Sequence, residues 1–242
     1  MKATATAVSP TTTAIPAQAG IAPASAPALT RSSFLSTRSY LALGDSYTIG
    51  EGVPAEGTWP FQLAAALRAR GIALDDPQVI ATTGWTTDEL AAAIDAAAPQ
   101  GPYALASLLI GVNNQYRGRP LAEYRQQFEQ LLQRAIALAA EDPRRVLVLS
   151  IPDWGVTPYA AAHERDAAVV AREIDDFNAA ARACCGDYGV AFVDITPASR
   201  ARGAEPAMLV DDGLHPSAAM YRLWMEQALP VAADLLTDPP AA

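Results

Sequence analysis

The sequence predicts a three-layer α/β domain, with about five parallel strands and helices on both faces of the sheet. From residue 39 onward, short apolar runs alternate with helix-length amphipathic segments, which is the order expected of strands joined by helical crossovers. The run ALASLLIG at residues 104–111 is apolar almost throughout, as a strand buried on both faces should be. Because such crossovers are right-handed, few topologies are possible.

Strands and helices are expected in alternation along the chain. The clearest helical pattern lies within residues 120–140, where Tyr124, Phe128 and Leu131 recur at spacings of three and four. In the last helix, Pro230 is expected to cause a kink or an end. The predicted strands are residues 39–44, 78–82, 104–111, 144–152 and 189–195, and the predicted helices are 59–71, 86–98, 120–140, 166–185 and a segment from about 216 onward.

One domain is expected beyond an N-terminal tail. With 242 residues, 51% of them hydrophobic, the chain can bury one core of normal size. Residues 1–38 are rich in Ala, Thr, Ser and Pro and contain no Asp or Glu, so we interpret them as a disordered tail and residues 39–242 as the domain. The tail has neither the apolar core of a secretory signal nor a membrane span, which favours a cytoplasmic protein; an organelle transit peptide stays open as the alternative.

The composition argues against several kinds of ligand. A formal charge of -9, without clustered Lys and Arg, argues against nucleic-acid binding. Cys184 and Cys185 are adjacent and cannot close a useful disulfide loop. Two histidines and no cysteine pair at ligand spacing leave little from which to build a metal site, so no metal is expected.

Ser46 is the candidate nucleophile. It follows the first strand in the segment YLALGDSYTIGEG, at the carboxyl edge where parallel sheets bind ligands. A serine needs a general base and a group that orients this base. In VDDGLHPSAAMY, the spacing of Asp212 and His215 can bring a carboxylate to Nδ1 of the imidazole. Two alternatives stay open: the pair is only a loop histidine with a local cap, or Asp211 orients the base.

Three donors are candidates for an oxyanion hole, the set of N–H groups that stabilises a developing negative oxygen. They are the backbone N–H of Ser46, the backbone N–H of Gly84 after the second strand, and the side-chain amide of Asn113 after the third. Glycine allows close backbone approach, and an Asn amide is a neutral donor. Taken singly, Gly84 is explained as well by a turn and Asn113 by loop capping.

Aromatic residues in loops at the same edge are candidates for the substrate pocket. Tyr116, Trp154 and Tyr159 are placed to line it, although packing on the domain explains exposed aromatics equally well. Arg117 and Arg119 could attract an anionic substrate, but no larger basic cluster supports that role.

Together, GDSYT, Gly84, GVNN and DGLH occur in the order and at the strand ends found in the SGNH hydrolases, also called the GDSL esterase/lipase family. The chain resembles this family from about residue 39 to residue 236. The resemblance implies a flavodoxin-like fold, no cofactor, and Ser46, Gly84, Asn113 and His215 as the four namesake residues, with Asp212 completing the triad.

The chain departs from the family pattern at two positions. Tyr47 stands where the family usually has Leu after the serine, which should change packing beneath the nucleophile and not the chemistry. Asn114 stands where the family often has Asp, so the contacts of that Asp cannot be carried over to this chain.

The predicted function is hydrolysis of carboxylic esters through an acyl-enzyme, with a small-molecule ester as substrate. Short to medium acyl chains are expected, because residues 39–236 leave no long insertion to form a lid over the site. The alternatives are a lysophospholipase, thioesterase or acyltransferase with the same triad, or a non-enzymatic module that binds a small ligand. No transmembrane segment is predicted, and the sequence does not determine the oligomeric state.

Overall fold

The computed structural model describes residues 38–237; of the predicted tail, only Arg38 falls within this range. Five strands are present in it: β1 (Tyr40–Gly44), β2 (Gln78–Ala81), β3 (Leu105–Leu109), β4 (Val146–Leu149) and β5 (Ala191–Val193). The α-helices of the described residues are α1 (Ser46–Ile49), α2 (Trp59–Ala69), α3 (Thr87–Ala97), α4 (Val112–Tyr116), α5 (Leu121–Leu138), α6 (Pro158–Ala162), α7 (Ala167–Tyr188), α8 (Thr196–Arg202) and α9 (Ala218–Thr237).

The strands form a single parallel sheet in the order β2-β1-β3-β4-β5. In the register, Leu43 of β1 lies beside Ile80 of β2 on one side and Leu108 of β3 on the other. Every residue of β1, β3 and β4 is buried. Burial on both faces explains why these strands read as continuous apolar runs and not as alternating patterns.

Two groups of helices enclose the sheet. Helix α2 packs against α9, while α5 packs against both α3 and α7. The core between the layers contains large buried side chains, among them Trp59, Trp224, Tyr124 and Phe128. This architecture confirms the predicted three-layer α/β fold.

The strand order places a crevice beside β1. The chain leaves β1 for β2 on one side and then returns to β3 on the other side, so the loops after β1 and β3 diverge from each other. Ligands of such sheets bind in the crevice where the strand order reverses, at the carboxyl ends of the strands. Ser46 follows β1 and Asn113 follows β3, at this crevice.

The structure differs from the prediction in its short helices, and of the kink or end expected at Pro230 it excludes the end. The short helices α1, α4, α6 and α8 lie where connections were expected, and their length of four to seven residues is too small for a clear period. Pro230 lies inside α9 and does not end it. Buried residues on both sides, including Leu229 and Ala232, pack the helix onto the domain and offset the cost of about 3 kcal/mol that an internal proline carries.

Candidate active site

Ser46 is the first residue of α1, directly beyond the carboxyl end of β1. Its hydroxyl makes no hydrogen bond to any other described residue, and it lines a cavity at the surface. Gly44 allows the tight turn for a steric reason. A Cβ at this position would lie 2.1 Å from Thr48 Oγ1 and 2.5 Å from the carbonyl oxygen of Leu109. Its φ lies outside the left-handed region, so close packing is what requires glycine here.

Asp45 caps the short helix that begins with the serine. Its Oδ1 accepts a hydrogen bond from the backbone N–H of Tyr47 at 3.0 Å. The side chain is fully buried, and Oδ2 has no hydrogen-bond partner among the described residues. Burial raises the pKa of Asp45 to about 7, although the hydrogen bond from Tyr47 acts in the opposite direction. Asp45 does not line the cavity, and the hydrogen bond that it accepts from Tyr47 stabilises the turn.

His215 and Asp212 are joined in the turn that precedes α9. Nδ1 of His215 lies 2.5 Å from Oδ2 of Asp212, while Oδ1 of Asp212 accepts the backbone N–H groups of Leu214 at 2.8 Å and His215 at 2.9 Å. Partial burial acts to raise the pKa of Asp212, but these hydrogen bonds outweigh it and lower the pKa. The carboxylate is therefore ionised and holds the imidazole in one orientation.

The loop after β2 and helix α4 after β3 are tied together by two asparagines. Nδ2 of Asn113 donates to the carbonyl of Trp85 at 2.9 Å. The buried Asn114 accepts from the backbone N–H of Thr87 at 3.1 Å and donates to the Thr87 hydroxyl at 2.7 Å. These are the contacts of the amide that replaces the family's usual Asp. They hold the start of α3 against the start of α4.

One cavity collects most of the predicted site residues. It has a volume of about 180 Å³ and is lined by Ser46, Tyr47, Thr83, Gly84, Val112, Asn113, Tyr116, Trp154, Tyr159, Leu214 and His215. Asp212 lies behind the imidazole. Within residues 38–237, the backbone N–H groups of Ser46 and Gly84 donate to no protein acceptor. No hydrogen bond joins Ser46 Oγ to His215 in the described structure, and such bonds commonly tighten only when substrate binds.

Three aromatic rings form one wall of this cavity. The rings of Tyr116 and Trp154 meet edge to face with centroids 5.4 Å apart, and the Tyr116 and Tyr159 hydroxyls are 3.4 Å apart. The buried Trp154 is fixed by a hydrogen bond of 2.9 Å from its Nε1 to Gln115 Oε1. The guanidinium of Arg165 lies 5.0 Å from the Trp154 ring centre. The wall is therefore rigid at Trp154 and more exposed at Tyr116.

Some lining residues were not predicted as part of the pocket. Tyr47, Val112 and Leu214 each adjoin a predicted site residue in the chain, and this adjacency is the signal that could have identified them. Tyr47 also packs beneath the site, with its ring centre 6.0 Å from that of His215 and 5.9 Å from that of Trp224.

Other candidates lie away from the cavity. Asp211 is exposed, and within the described residues the hydrogen bond and ion pair of the His215 ring go to Asp212 and not to Asp211. Arg117 and Arg119 are absent from the cavity lining and form ion pairs with Glu89 and Asp88, respectively. Their guanidinium groups are engaged with the protein, which does not support the idea that they attract an anionic substrate.

Within the described residues, no group of three or more His, Cys, Asp or Glu side chains is arranged to hold a metal ion. Among residues 38–237, no helix has the length and apolar character needed to cross a membrane.

The sequence pattern of the GDSL-like lipase/acylhydrolase family matches residues 42–223, which is more than half of the chain. The protein belongs to this family and is a serine hydrolase that acts on ester bonds. A comparison with curated proteins gave no match.

Solved structures show the same fold. The crystal structure of TesA has 22% identity and a TM-score of 0.66, and the match covers 82% of this chain and 100% of TesA. The psychrotrophic esterase EstA from Pseudoalteromonas sp., inhibited by monoethylphosphonate, has 16% identity and a TM-score of 0.63, with 83% and 100% covered. AlinE4, an SGNH-hydrolase family esterase, has 21% identity and a TM-score of 0.56, with 84% and 98% covered.

Proposed function

We propose that this protein is an esterase that hydrolyses small carboxylic esters with short to medium acyl chains, through an acyl-enzyme on Ser46. The observation that carries the proposal is the shared cavity, which brings together the Ser46 hydroxyl, the imidazole paired with Asp212, and the Gly84 and Asn113 donors. The family supports the reaction class, as does the description of EstA and AlinE4 as esterases.

In the first half of the reaction, Ser46 Oγ attacks the ester carbonyl carbon while Nε2 of His215 takes the hydroxyl proton. Asp212 holds Nδ1–H, so the imidazole has the tautomer that accepts a proton at Nε2. Collapse of the tetrahedral intermediate breaks the ester C–O bond, and the imidazolium returns the proton to the departing alcohol. In the second half, His215 takes a proton from water as the water attacks the acyl-enzyme. The bond from the acyl carbon to Ser46 Oγ then breaks, the imidazolium returns the proton to Oγ, and the acid is released.

The tetrahedral oxyanion is assigned to three donors. The N–H groups of Ser46 and Gly84 lack protein acceptors within the described residues. The Asn113 amide has two N–H groups, and its single hydrogen bond to Trp85 leaves the other for the oxyanion. Donors that are already oriented stabilise the charge as it develops without reorganising at that moment.

The size of the cavity supports a short acyl group. Its volume of about 180 Å³ is below the roughly 300–1,000 Å³ of sites that enclose drug-sized ligands. Each buried methylene contributes ~0.8 kcal/mol, but only where a wall removes it from water. The Tyr116–Trp154–Tyr159 wall can cover the first carbons of an acyl chain, and further carbons would extend into solvent.

The experiment that tests this function is labelling with a fluorophosphonate combined with hydrolysis of p-nitrophenyl butyrate. The wild-type protein and Ser39→Ala should be labelled and active, because Ser39 lies just before β1, at the opposite edge of the sheet. Ser46→Ala should lose both labelling and hydrolysis, with a melting temperature close to that of the wild type. Absence of labelling and hydrolysis in the wild-type protein would refute the proposal, as would an active Ser46→Ala protein.

A further inference from the structure

Helix α4 and Arg117, the residue directly after it, hold the loop after β2 by two side chains four positions apart. Nδ2 of Asn113 donates to the carbonyl of Trp85 at 2.9 Å, and a guanidinium N–H of Arg117 donates to the carbonyl of Gly84 at 2.6 Å. Residues four apart on a helix lie on one face, so both side chains reach the same short loop. Arg117 also contacts Glu89 of α3 at 3.3 Å. Two consecutive carbonyls of this loop are thus held by α4 and the residue that ends it.

Few contacts of Gly84 itself restrain its backbone conformation. Its φ of +88° lies in the left-handed region that glycine adopts most readily, and a Cβ there would meet only the Arg117 guanidinium, at 3.8 Å. The bond from Trp85 N–H to Thr82 O, at 3.3 Å, is long for the backbone hydrogen bond that closes the turn. The hydrogen bond from Arg117 fixes the peptide between Gly84 and Trp85, and with it the position of the Gly84 Cα. Loss of this bond would allow Gly84, and the N–H that it carries, to move relative to the cavity.

We propose that Arg117 is a positioning residue of the oxyanion hole, acting through the Gly84 carbonyl to hold Gly84, and with it one oxyanion donor, at the cavity beside the Asn113 amide. This inference rests on the proposed esterase function. Arg117 is absent from the cavity lining, and its side chain is 43% exposed, so it acts on the donor and not on the substrate. A displacement of reacting groups by about 1 Å can cost 100-fold in rate, which sets the scale of the expected effect.

Arg119 provides a matched control. It carries the same charge two residues later and also connects to α3, with its guanidinium 2.5 Å from Asp88 and 3.3 Å from Glu123. It makes no contact with the Gly84 or Trp85 carbonyl within the described structure. Removal of its charge therefore tests the loss of a cation and an ion pair without loss of the Gly84 hydrogen bond.

The experiment compares wild type, Arg117→Met, Arg117→Lys and Arg119→Met. For each protein, kcat and KM are measured with p-nitrophenyl butyrate, and kcat is expressed per active site. The active sites are counted by fluorophosphonate titration, and the melting temperature is measured as well. The inhibition constant of an alkyl trifluoromethyl ketone is also measured, because its adduct with a serine carries an oxyanion. Arg117→Met should lower kcat by about 10- to 100-fold at nearly constant KM and weaken the ketone by a similar factor. Arg117→Lys should recover part of both losses, since an ammonium can donate to one carbonyl.

The outcomes separate this inference from the function on which it rests. A wild-type protein without labelling or hydrolysis would refute the esterase function itself. With an active wild type, the inference is wrong if Arg117→Met keeps wild-type kcat and ketone affinity. It is also wrong if Arg119→Met loses as much as Arg117→Met, or if Arg117→Met changes only KM or the number of active sites.

Discussion

Nδ1 of His215 lies 2.5 Å from Oδ2 of Asp212, and the other carboxylate oxygen accepts two backbone N–H groups of the same turn. One carboxylate therefore shapes the turn and orients the imidazole at once. The turn is further attached to α6, because the backbone N–H of Tyr159 donates to the Gly213 carbonyl at 3.1 Å. The imidazole is thus held from its own loop and from the aromatic wall of the cavity.

Asp212→Asn should lower kcat by about 100- to 10,000-fold. The amide can still accept the backbone N–H groups, but its NH₂ would face Nδ1 and favour the imidazole tautomer with the proton on Nε2. That tautomer cannot accept the Ser46 proton. The measurement is kcat for p-nitrophenyl butyrate per folded protein. Asp211→Asn is the control, with activity near that of the wild type, because Asp211 is exposed and the His215 ring pairs with Asp212 and not with Asp211 in the described structure. Equal losses in both variants would contradict the assignment.

Asn113→Ala should lower kcat by roughly 100- to 1,000-fold, the range for loss of one side-chain donor to an oxyanion. Its melting temperature should change little, because the side chain makes a single hydrogen bond at the cavity rim. Steady-state kinetics and thermal unfolding test both statements. A variant with wild-type kcat would show that Asn113 has only a structural role.

Asn114→Ala should lower the stability of the protein more than its activity, in contrast to Asn113→Ala. The Asn114 side chain is buried and makes two hydrogen bonds to Thr87. Its loss leaves the buried Thr87 N–H unpaired, at about 1–3 kcal/mol, while the Thr87 hydroxyl keeps its hydrogen bond to Gln127. Thermal unfolding should therefore show a clearly lower melting temperature, while kcat per active site falls less than in Asn113→Ala. A melting temperature equal to that of the wild type would contradict this assignment.

Stability should decline as pH rises from about 4 to about 7 because of Asp45. The carboxyl has a pKa of about 7 in the folded protein and an ordinary value near 3.9 in the unfolded chain. The folded state binds the proton more tightly, so this contribution is fully present below pH 3.9 and is lost as pH rises through 7. Asp45→Asn keeps an acceptor for the Tyr47 N–H and cannot ionise. Between pH 5 and pH 8, the melting temperature of the wild type should therefore fall further than that of Asp45→Asn. The difference between the two decreases should be about 5–10 °C. Parallel pH curves for the two proteins would contradict the raised pKa.

Catalytic efficiency on p-nitrophenyl esters should peak between acetate and hexanoate and decline for longer chains. The cavity of about 180 Å³ ends at the aromatic wall, so later methylenes find no surface to bury against. A series from acetate to palmitate in matched detergent measures this. Tyr116→Ala, which removes the exposed end of the wall, should lower the catalytic efficiency on butyrate and hexanoate more than on acetate, with little loss of stability. A catalytic efficiency that rises through dodecanoate in the wild type would contradict the prediction and indicate a lipid substrate.

The sequence by itself determined those features whose partners are close in the chain. Ser46 lies at the carboxyl end of β1 because five buried residues precede the turn, and Asp212 reaches His215 because they are three positions apart in a tight loop. The same holds for the start of α3, where Thr86 and Glu89 form a capping box. Local spacing and backbone geometry are sufficient for such contacts, so a pattern of residue types can predict them.

Only the tertiary structure decided contacts between distant segments and the effects of burial. The contact between Arg117 and the Gly84 carbonyl joins residues 33 positions apart and depends on how the end of α4 packs against the loop after β2. The fixed orientation of Trp154 depends on Gln115, 39 positions earlier in the chain. The raised pKa of Asp45 and the continuation of α9 through Pro230 likewise result from packing. Solvent exclusion and side-chain contacts are properties of the folded assembly, and they can exceed the local preferences that a sequence displays.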